Sequence, residues 1–184
     1  MRVIILGAGR GTRLMPHTEE MPKCLVDGLG GKRILDWILE ALHSADLRDI
    51  VFVGGYKIES VREAFTELEF VENRNWATNN VLQSLFCAEK LFEDGFIVSY
   101  SDIVYRTNVV QRLVESNADM AIVVDRDWRR RYVGRDGHPE LEAEKVVSDD
   151  DIVQRVGKHL PVEGADGEFI GLARFSGPAV EAMK

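Results

Sequence analysis

Apolar residues occur along this chain in two spacings, and the two alternate. Short apolar runs bounded by glycine or polar residues predict buried strands, whereas apolar residues three and four positions apart predict amphipathic helices. The predicted strands cover residues 2–6, 50–53, 69–72, 96–100, 120–124 and 169–175. The predicted helices cover residues 32–44, 59–67, 80–92 and 109–115, and a last one begins at Ser176-Gly177-Pro178. This order predicts an α/β fold of three layers (α/β/α), with helices flanking a Rossmann-like, mostly parallel sheet.

The stretch after Asp125 has a different character. Residues 127–144 are rich in charge and poor in apolar side chains, which predicts a loop or lid. We expect the arginine run 129–131 to face solvent, and Trp128 to fill core rather than wall an acceptor pocket. Farther on, apolar residues 146–147 and 152–156 bracket three aspartates, and this pattern predicts a β-hairpin with an acidic turn.

Length, charge and cysteine content limit the possible functions. A chain of 184 residues, 45% of them hydrophobic, fits one domain with a sizeable core. The formal net charge of −8 disfavours general nucleic-acid binding, and no apolar run approaches membrane-spanning length. Two cysteines, Cys24 and Cys87, are too few for a disulfide framework, so we expect a reduced, cytoplasmic chain in which Cys24 packs in the interior. The four histidines show no metal-ligand spacing, and His17 is expected to be a loop residue.

Three alternating glycines follow the first predicted strand. Gly7, Gly9 and Gly11 are interleaved with Arg10 and followed by Arg13, and Lys23 comes ten residues later. Glycines allow a sharp turn and bring bare N–H groups close to a ligand, and cationic side chains beside them favour a polyphosphate. The dinucleotide fingerprint is excluded because its sixth place holds Thr12, and the Gly-Lys-Ser/Thr of a P-loop is absent. We therefore predict a nucleoside triphosphate site at this junction.

Asp102 is the second chemical signal. It follows the predicted strand 96–100. In a parallel sheet its carboxylate is expected at the carboxyl edge, beside the glycine loop. A carboxylate there can hold Mg²⁺, which takes one or two protein carboxylates together with phosphate oxygens. The alternative is an aspartate that only caps a turn.

A polar group at the start of the helix predicted at 80–92 is the third signal. Asn79, Asn80 and Ser84 carry amide and hydroxyl groups that can satisfy the polar edge of a pyrimidine. The alternative is an asparagine that serves as the N-cap of the helix, and one residue can do both.

Together these motifs resemble a known family. The pattern Gly-x-Gly-x-Gly-Thr-Arg-Leu, with Pro22-Lys23 after it, resembles the nucleotidyltransferases that activate sugar phosphates, phosphocholine and phosphonates with NTPs. The Asn-Asn segment, Asp-x-Asp-Trp at 125–128 and Glu-Ala-Glu-Lys at 142–145 are similar to cytidylyltransferases of the phosphocholine and 2-aminoethylphosphonate type.

The resemblance implies a role for each site residue. CTP is the implied nucleotide, Mg²⁺ the cofactor, and the acceptor a small phosphorylated or phosphonate compound; a homo-oligomer is possible. Arg13 and Lys23 are implied to be catalytic, and Asp102 to bind the metal. Lys145 is implied to contact the phosphonate or α-phosphate, although a solvated strand end is an equal alternative. The residues implied to bind nucleotide are Leu6, Gly7, Ala8, Gly9, Arg10, Gly11, Thr12, Asn79, Asn80 and Ser84.

The family pattern also leaves points open. Its second metal-binding aspartate, expected near the C-terminus, has no counterpart here, so we expect either that the single domain 1–184 is truncated or that Asp125, Asp127 or Glu168 replaces it. Two other functions remain. One is a sugar-1-phosphate nucleotidylyltransferase that uses UTP, dTTP or GTP, and the other is a catalytically silent, nucleotide-binding regulatory domain.

Overall fold

The computed structural model describes residues 1–135 and 139–183. The predicted turn residues Asp136, Gly137 and His138 lie outside this range. In chain order the strands are β1 (Arg2–Gly7), β2 (Ile50–Gly54), β3 (Glu69–Glu72), β4 (Gly95–Tyr100), β5 (Met120–Asp125), β6 (Lys145–Asp149), β7 (Ile152–Gly157) and β8 (Gly167–Ser176). The helices are α1 (Ile34–His43), α2 (Ile58–Ala64), α3 (Val81–Phe86), α4 (Thr107–Val114), α5 (Trp128–Tyr132) and α6 (Gly177–Met183). The chain divides into two compact units, one of residues 1–121 with 173–184 and one of residues 122–172.

The first unit contains a parallel sheet with the strand order β3-β2-β1-β4. Val3 of β1 lies opposite Ile50 of β2 on one side and Ile97 of β4 on the other. The interior positions of β1, β2 and β4 are buried on both faces. Parallel strands covered on both faces have continuous apolar runs rather than alternation, which is why these strands could be identified from the sequence.

Two helices of this unit, α2 and α3, are shorter than predicted. The helix predicted at 59–67 is α2, which ends at Ala64 because Phe65 leaves the helical region with φ −140° and ψ 69°. The helix predicted at 80–92 is α3, which ends at Phe86 and is followed by a 3₁₀ turn at Glu89–Leu91. This change of pitch lets both Ala88 and Phe92 reach the core.

In the second unit, the prediction of a loop or lid at 127–144 is wrong. The segment contains α5 and a 3₁₀ turn at Glu140–Glu142. Trp128, Tyr132 and Ala143 form a buried cluster against which Val162 and Ala165 pack. Trp128 is therefore a core residue, as predicted, and its burial with Tyr132 holds together a segment whose composition is polar.

The remaining strands of the second unit are antiparallel. β6 and β7 form the predicted hairpin, with Asp150 and Asp151 in its turn and Asp149 at the end of β6. On its other side β6 pairs with β8, where Lys145 lies opposite Glu168. No helix in the described part of the chain has both the length and the hydropathy needed to cross a bilayer.

Candidate nucleotide site

A cavity of about 390 Å³ lies in the first unit, where β1 and β4 end and α3 begins. It brings together most of the residues predicted from the sequence to bind nucleotide. Its described lining consists of Leu6, Gly7, Ala8, Gly9, Gly11, Thr12, Arg13, Lys23, Trp76, Asn79, Asn80, Val81, Ser84, Tyr100, Ser101 and Asp102.

Each of the three glycines has its own structural reason. A Cβ on Gly7 would overlap the buried ring of Phe52 and lie 2.9 Å from Ser101 Oγ. Gly11 has φ 69°, in the left-handed region that favours glycine. A Cβ on Gly9 would meet no atom within 4 Å, so the backbone is open on that side. Packing of the fold therefore does not require a glycine at position 9, and the space beside this backbone is open to a ligand.

Two hydrogen bonds hold the glycine loop in shape. The buried Thr18 donates its hydroxyl proton to the carbonyl of Gly11 over 2.8 Å, and the backbone N–H of Tyr56 donates to the carbonyl of Ala8 over 2.9 Å. Within the described residues, the backbone N–H groups of Gly9 and Gly11 have no hydrogen-bond partner. Bare N–H groups on a loop whose carbonyls are tied down are the feature by which a backbone nest can bind an anion, and phosphate binding here stays a prediction.

Arg10 lies outside the described lining of the cavity. Its guanidinium is 5.6 Å from the centre of the Tyr56 ring, a cation–π arrangement. Tyr56 in turn meets Trp76 edge-on at 5.4 Å, and Trp76 lines the cavity. Sequence reasoning missed Trp76. The sequence carries no signal for it: the close approach to Gly55, where an added Cβ would lie 2.6 Å from Trp76, is visible only in the structure.

Lys23 and Asp102 form an ion pair in the cavity wall. Lys23 Nζ donates to Asp102 Oδ2 over 2.6 Å, and the two side chains are 31% and 34% exposed. Lys23 begins a short 3₁₀ turn after Pro22, and Asp102 follows Ser101, whose N–H donates to Leu6 of β1. No group of three or more potential ligands (His, Cys, Asp, Glu) is gathered among the described residues. Mg²⁺ nevertheless takes only one or two carboxylates from a protein, so metal binding by Asp102 stays a prediction.

The start of α3 confirms the capping alternative for Asn80. Asn80 Oδ1 accepts from the N–H of Gln83, and the side chain of Gln83 accepts from the N–H of Asn80, which together form a capping box. Asn79 and Ser84 are held by a third residue, Asn73, which is 1% exposed and directly follows β3. Sequence reasoning missed Asn73; a polar residue at the carboxyl end of a predicted strand was the only signal.

Lys145 is fully buried in the second unit, which makes the alternative of a solvated strand end wrong. Its Nζ donates to the carbonyls of Leu141 over 2.9 Å and Ala143 over 3.0 Å. Backbone carbonyls thus take two of the three donors of the ammonium group. Contact of Lys145 with a substrate stays a prediction.

Two of the three candidates for a second metal ligand, Asp125 and Glu168, are engaged within the second unit. Asp125 accepts from Arg131 Nε and from the N–H of Asp127. Glu168 accepts from the hydroxyl of Tyr132 over 2.6 Å, and burial, with this carboxylate, raises the pKa of Tyr132 above its ordinary value. The arginine run is exposed as predicted, but it lies on α5 rather than on a loop.

The predictions that Cys24 packs in the interior and that His17 is a loop residue are confirmed. Cys24 is buried, and this burial raises the pKa of its thiol to about 12, so it stays protonated and packs in the core. His17 is exposed in the loop between two short 3₁₀ turns.

Comparison with known proteins agrees with the resemblance and the fold. The model of the MobA-like NTP transferase domain matches residues 3–160. CTP:phosphoglutamine cytidylyltransferase of Campylobacter jejuni is 34% identical over 96% of this chain and 73% of its own length. 2-Aminoethylphosphonate cytidylyltransferase of Lancefieldella rimae is 29% identical over 98% of this chain and 69% of its own length.

A solved structure supports the fold independently. The inositol-1-phosphate CTP transferase from T. maritima superimposes with a TM-score of 0.76 over 100% of this chain and 73% of that one, at 20% identity. The predicted α/β class with a mostly parallel sheet is thereby confirmed. The chain belongs to the MobA-like NTP transferase family and is a nucleotidyltransferase by descent.

Proposed function

We propose that this protein is a cytidylyltransferase that transfers CMP from CTP to a small phosphorylated or phosphonate acceptor and releases pyrophosphate. The cavity carries the proposal, because it joins a phosphate-binding loop, the Lys23–Asp102 pair and the polar start of α3. The names of both reported relatives describe cytidylyl transfer to phosphorus-containing acceptors.

The proposed reaction needs no general base. A phosphate or phosphonate oxygen of the acceptor is already ionised at neutral pH. It attacks the α-phosphorus of CTP, a new P–O bond forms, and the bond from the α-phosphorus to the bridging oxygen breaks, so that this oxygen leaves with pyrophosphate. Catalysis then consists of holding the reactants in line and neutralising charge on the phosphoryl oxygens.

The chain's own groups are suited to these tasks. N–H groups of the glycine loop, with Arg13, would hold the triphosphate, and Arg10 would join them on leaving Tyr56. Lys23 would neutralise the α-phosphate as it becomes five-coordinate. Lys145 is fully buried and donates to the carbonyls of Leu141 and Ala143, so its proposed contact with the acceptor requires that its ammonium group be uncovered first.

Asp102 is the proposed holder of Mg²⁺. Its carboxylate is one-third exposed in the cavity wall, and once Lys23 turns to the nucleotide this carboxylate would meet the demand of Mg²⁺ for one protein carboxylate. When bound, the ion supplies charge neutralisation and alignment of the phosphates. Among the described residues that line the cavity, Asp102 is the one that carries a carboxylate.

Pyrophosphate release from a panel of nucleotides tests the proposal. CTP, UTP, dTTP, GTP and ATP are each combined with phosphocholine, 2-aminoethylphosphonate or glucose 1-phosphate, with and without Mg²⁺. Release that needs CTP, Mg²⁺ and one of the first two acceptors supports the proposal. Release from UTP or dTTP with the sugar phosphate would instead assign a sugar-1-phosphate nucleotidylyltransferase, and CTP binding without turnover on any acceptor would assign a regulatory domain.

A further inference from the structure

Asn73 has every hydrogen-bonding position of its side chain filled. Its Nδ2 donates to Asn79 Oδ1 over 3.0 Å and to Ser84 Oγ over 2.9 Å. Its Oδ1 accepts from the backbone N–H of Asn75 and from Asn79 Nδ2, both over 3.0 Å. Because the backbone N–H of Asn75 can only donate, the amide of Asn73 has one allowed orientation.

The backbone of Asn73 is held as firmly as its side chain. Its N–H donates to the carbonyl of Gly54 at the end of β2 over 2.7 Å, and the residue is 1% exposed. If the side-chain amide were rotated by 180°, its amino group would face the backbone N–H of Asn75, and two donors would be opposed. A buried polar group without a partner costs about 1–3 kcal/mol, so the orientation is stable.

This orientation and the backbone carbonyl of Asn80 together fix the hydrogen bonds of Ser84. A serine hydroxyl has one proton to donate and two lone pairs with which to accept. One lone pair accepts from Asn73 Nδ2, and the proton goes to the backbone carbonyl of Asn80 over 3.2 Å. With both bonds formed one lone pair remains, so the hydroxyl of Ser84, which lines the cavity, presents an acceptor to a ligand.

We propose that Asn73 is a positioning residue that holds the Ser84 hydroxyl in place with one lone pair left for a ligand, and that this arrangement selects a base with an amino group, cytosine rather than uracil. This inference rests on the proposed function, since it names the base that the same cavity takes. Cytosine carries an amino donor at the ring position where uracil carries a carbonyl acceptor. A hydroxyl held in this way accepts from the amino group of cytosine, whereas it can donate to the carbonyl of uracil only by breaking its hydrogen bond to Asn80. After pairing with Asn73, the side chain of Asn79 has one donor and one acceptor position left. These can pair with the remaining polar groups of cytosine or of uracil, so Asn79 does not discriminate between the two bases.

The binding of CTP and UTP to variants of both residues tests this inference. Dissociation constants are measured by calorimetry for the wild type, Ser84→Ala and Asn73→Ala, with unfolding curves to verify the fold. Ser99→Ala is the matched control, because Ser99 is also buried and bonded to a side chain, Tyr105, but is absent from the described cavity lining. The wild type is expected to prefer CTP over UTP by at least about tenfold, the size of one well-placed hydrogen bond.

Both variants are expected to lower that preference by about five- to tenfold, and the control is expected to leave it unchanged. In turnover, the loss is expected in the KM for CTP and not in kcat at saturation. A preference that persists in folded Ser84→Ala or in folded Asn73→Ala, or a wild type that binds UTP as tightly as CTP, overturns the inference. If Asn73→Ala does not fold, Asn73→Asp takes its place, because a carboxylate cannot donate to Ser84. A wild type that prefers CTP in binding but releases no pyrophosphate contradicts the proposed function and leaves the inference standing.

Discussion

Lys23 Nζ and Asp102 Oδ2 lie 2.6 Å apart, although the proposed reaction assigns them to different partners. Lys23 is needed at the α-phosphate and Asp102 at the metal. In the structure the two neutralise each other, so binding of nucleotide and Mg²⁺ must separate them. Because both side chains are about one-third exposed, the pair contributes little to folding, and separating it is not prohibitive.

Removal of the lysine tests its role. Lys23→Ala is expected to cut kcat by about 10²–10³, the loss that follows removal of one donor from a developing oxyanion. The free energy of unfolding is expected to change by less than about 1 kcal/mol. Pyrophosphate release and urea unfolding of the same preparation check both statements. A rate close to that of the wild type would remove Lys23 from the chemistry.

Removal of the carboxylate is expected to have opposite effects with and without metal. Asp102→Asn deletes the metal ligand, so Mg²⁺-dependent turnover is expected to be lost. In magnesium-free buffer the same variant is expected to bind CTP about two- to fivefold more tightly, because Lys23 is released and a negative charge near the phosphates is gone. Calorimetry in EDTA measures this. Weaker binding there would mean that Asp102 and Lys23 do not compete.

Two glycines in the same loop provide a matched pair of variants. Gly7→Ala is expected to destabilise the fold by about 1–3 kcal/mol, because the added methyl group overlaps the buried Phe52 ring. Gly9→Ala meets no atom within 4 Å and is expected to keep its stability but to raise the KM for nucleotide. Thermal unfolding and steady-state kinetics separate the two effects. A normal KM in Gly9→Ala would show that the nucleotide does not approach the loop there.

The start of α1 gives a prediction for stability against pH. Asp36 accepts from the backbone N–H of Arg33 and from its guanidinium, and the hydrogen bonds from Arg33 hold the pKa of this carboxyl below its ordinary value. A lowered folded-state pKa stabilises the protein above the unfolded value of about 3.9, and this stabilisation disappears as the pH falls through the folded value. Asp36→Asn is therefore expected to cost up to about 1 kcal/mol at pH 7.

That cost is expected to shrink towards zero below about pH 3.9, where the wild-type carboxyl also becomes protonated. Urea unfolding of both proteins at several pH values measures the difference. Asp46→Asn is the control, because the side chain of Asp46 is 99% exposed and its change is expected to alter stability little at any pH. A difference for Asp36→Asn that does not depend on pH would contradict the assignment.

The parts of the cavity that are formed by residues contiguous in the chain could be predicted from the sequence. The buried strand β1, its glycines and a carboxylate directly after β4 are each contiguous in the chain, and parallel pairing brings them to one edge. Asn73 could not be predicted, because its partners lie 6 and 11 residues away, one in the turn before α3 and one within α3. Its role depends on hydrogen-bond polarity, which residue types alone do not determine.

The helix α5 was missed for a different reason. Three arginines in five residues make the segment polar on average, and the prediction of a loop followed that average. Its two buried aromatic residues, Trp128 and Tyr132, are four positions apart, the spacing of one helix face. Burial of Lys145 was missed as well, because the carbonyls that accept its protons come from a turn whose course depends on tertiary packing.

A crystal structure with CTP and Mn²⁺ in place of Mg²⁺ tests the central claim most directly, because the anomalous signal locates the metal. The account predicts Mn²⁺ bound to the carboxylate of Asp102, Lys23 turned away from it, and the triphosphate along the loop from Gly7 to Arg13. Nucleotide density elsewhere, or Mn²⁺ away from Asp102 with the Lys23–Asp102 pair intact, would contradict it.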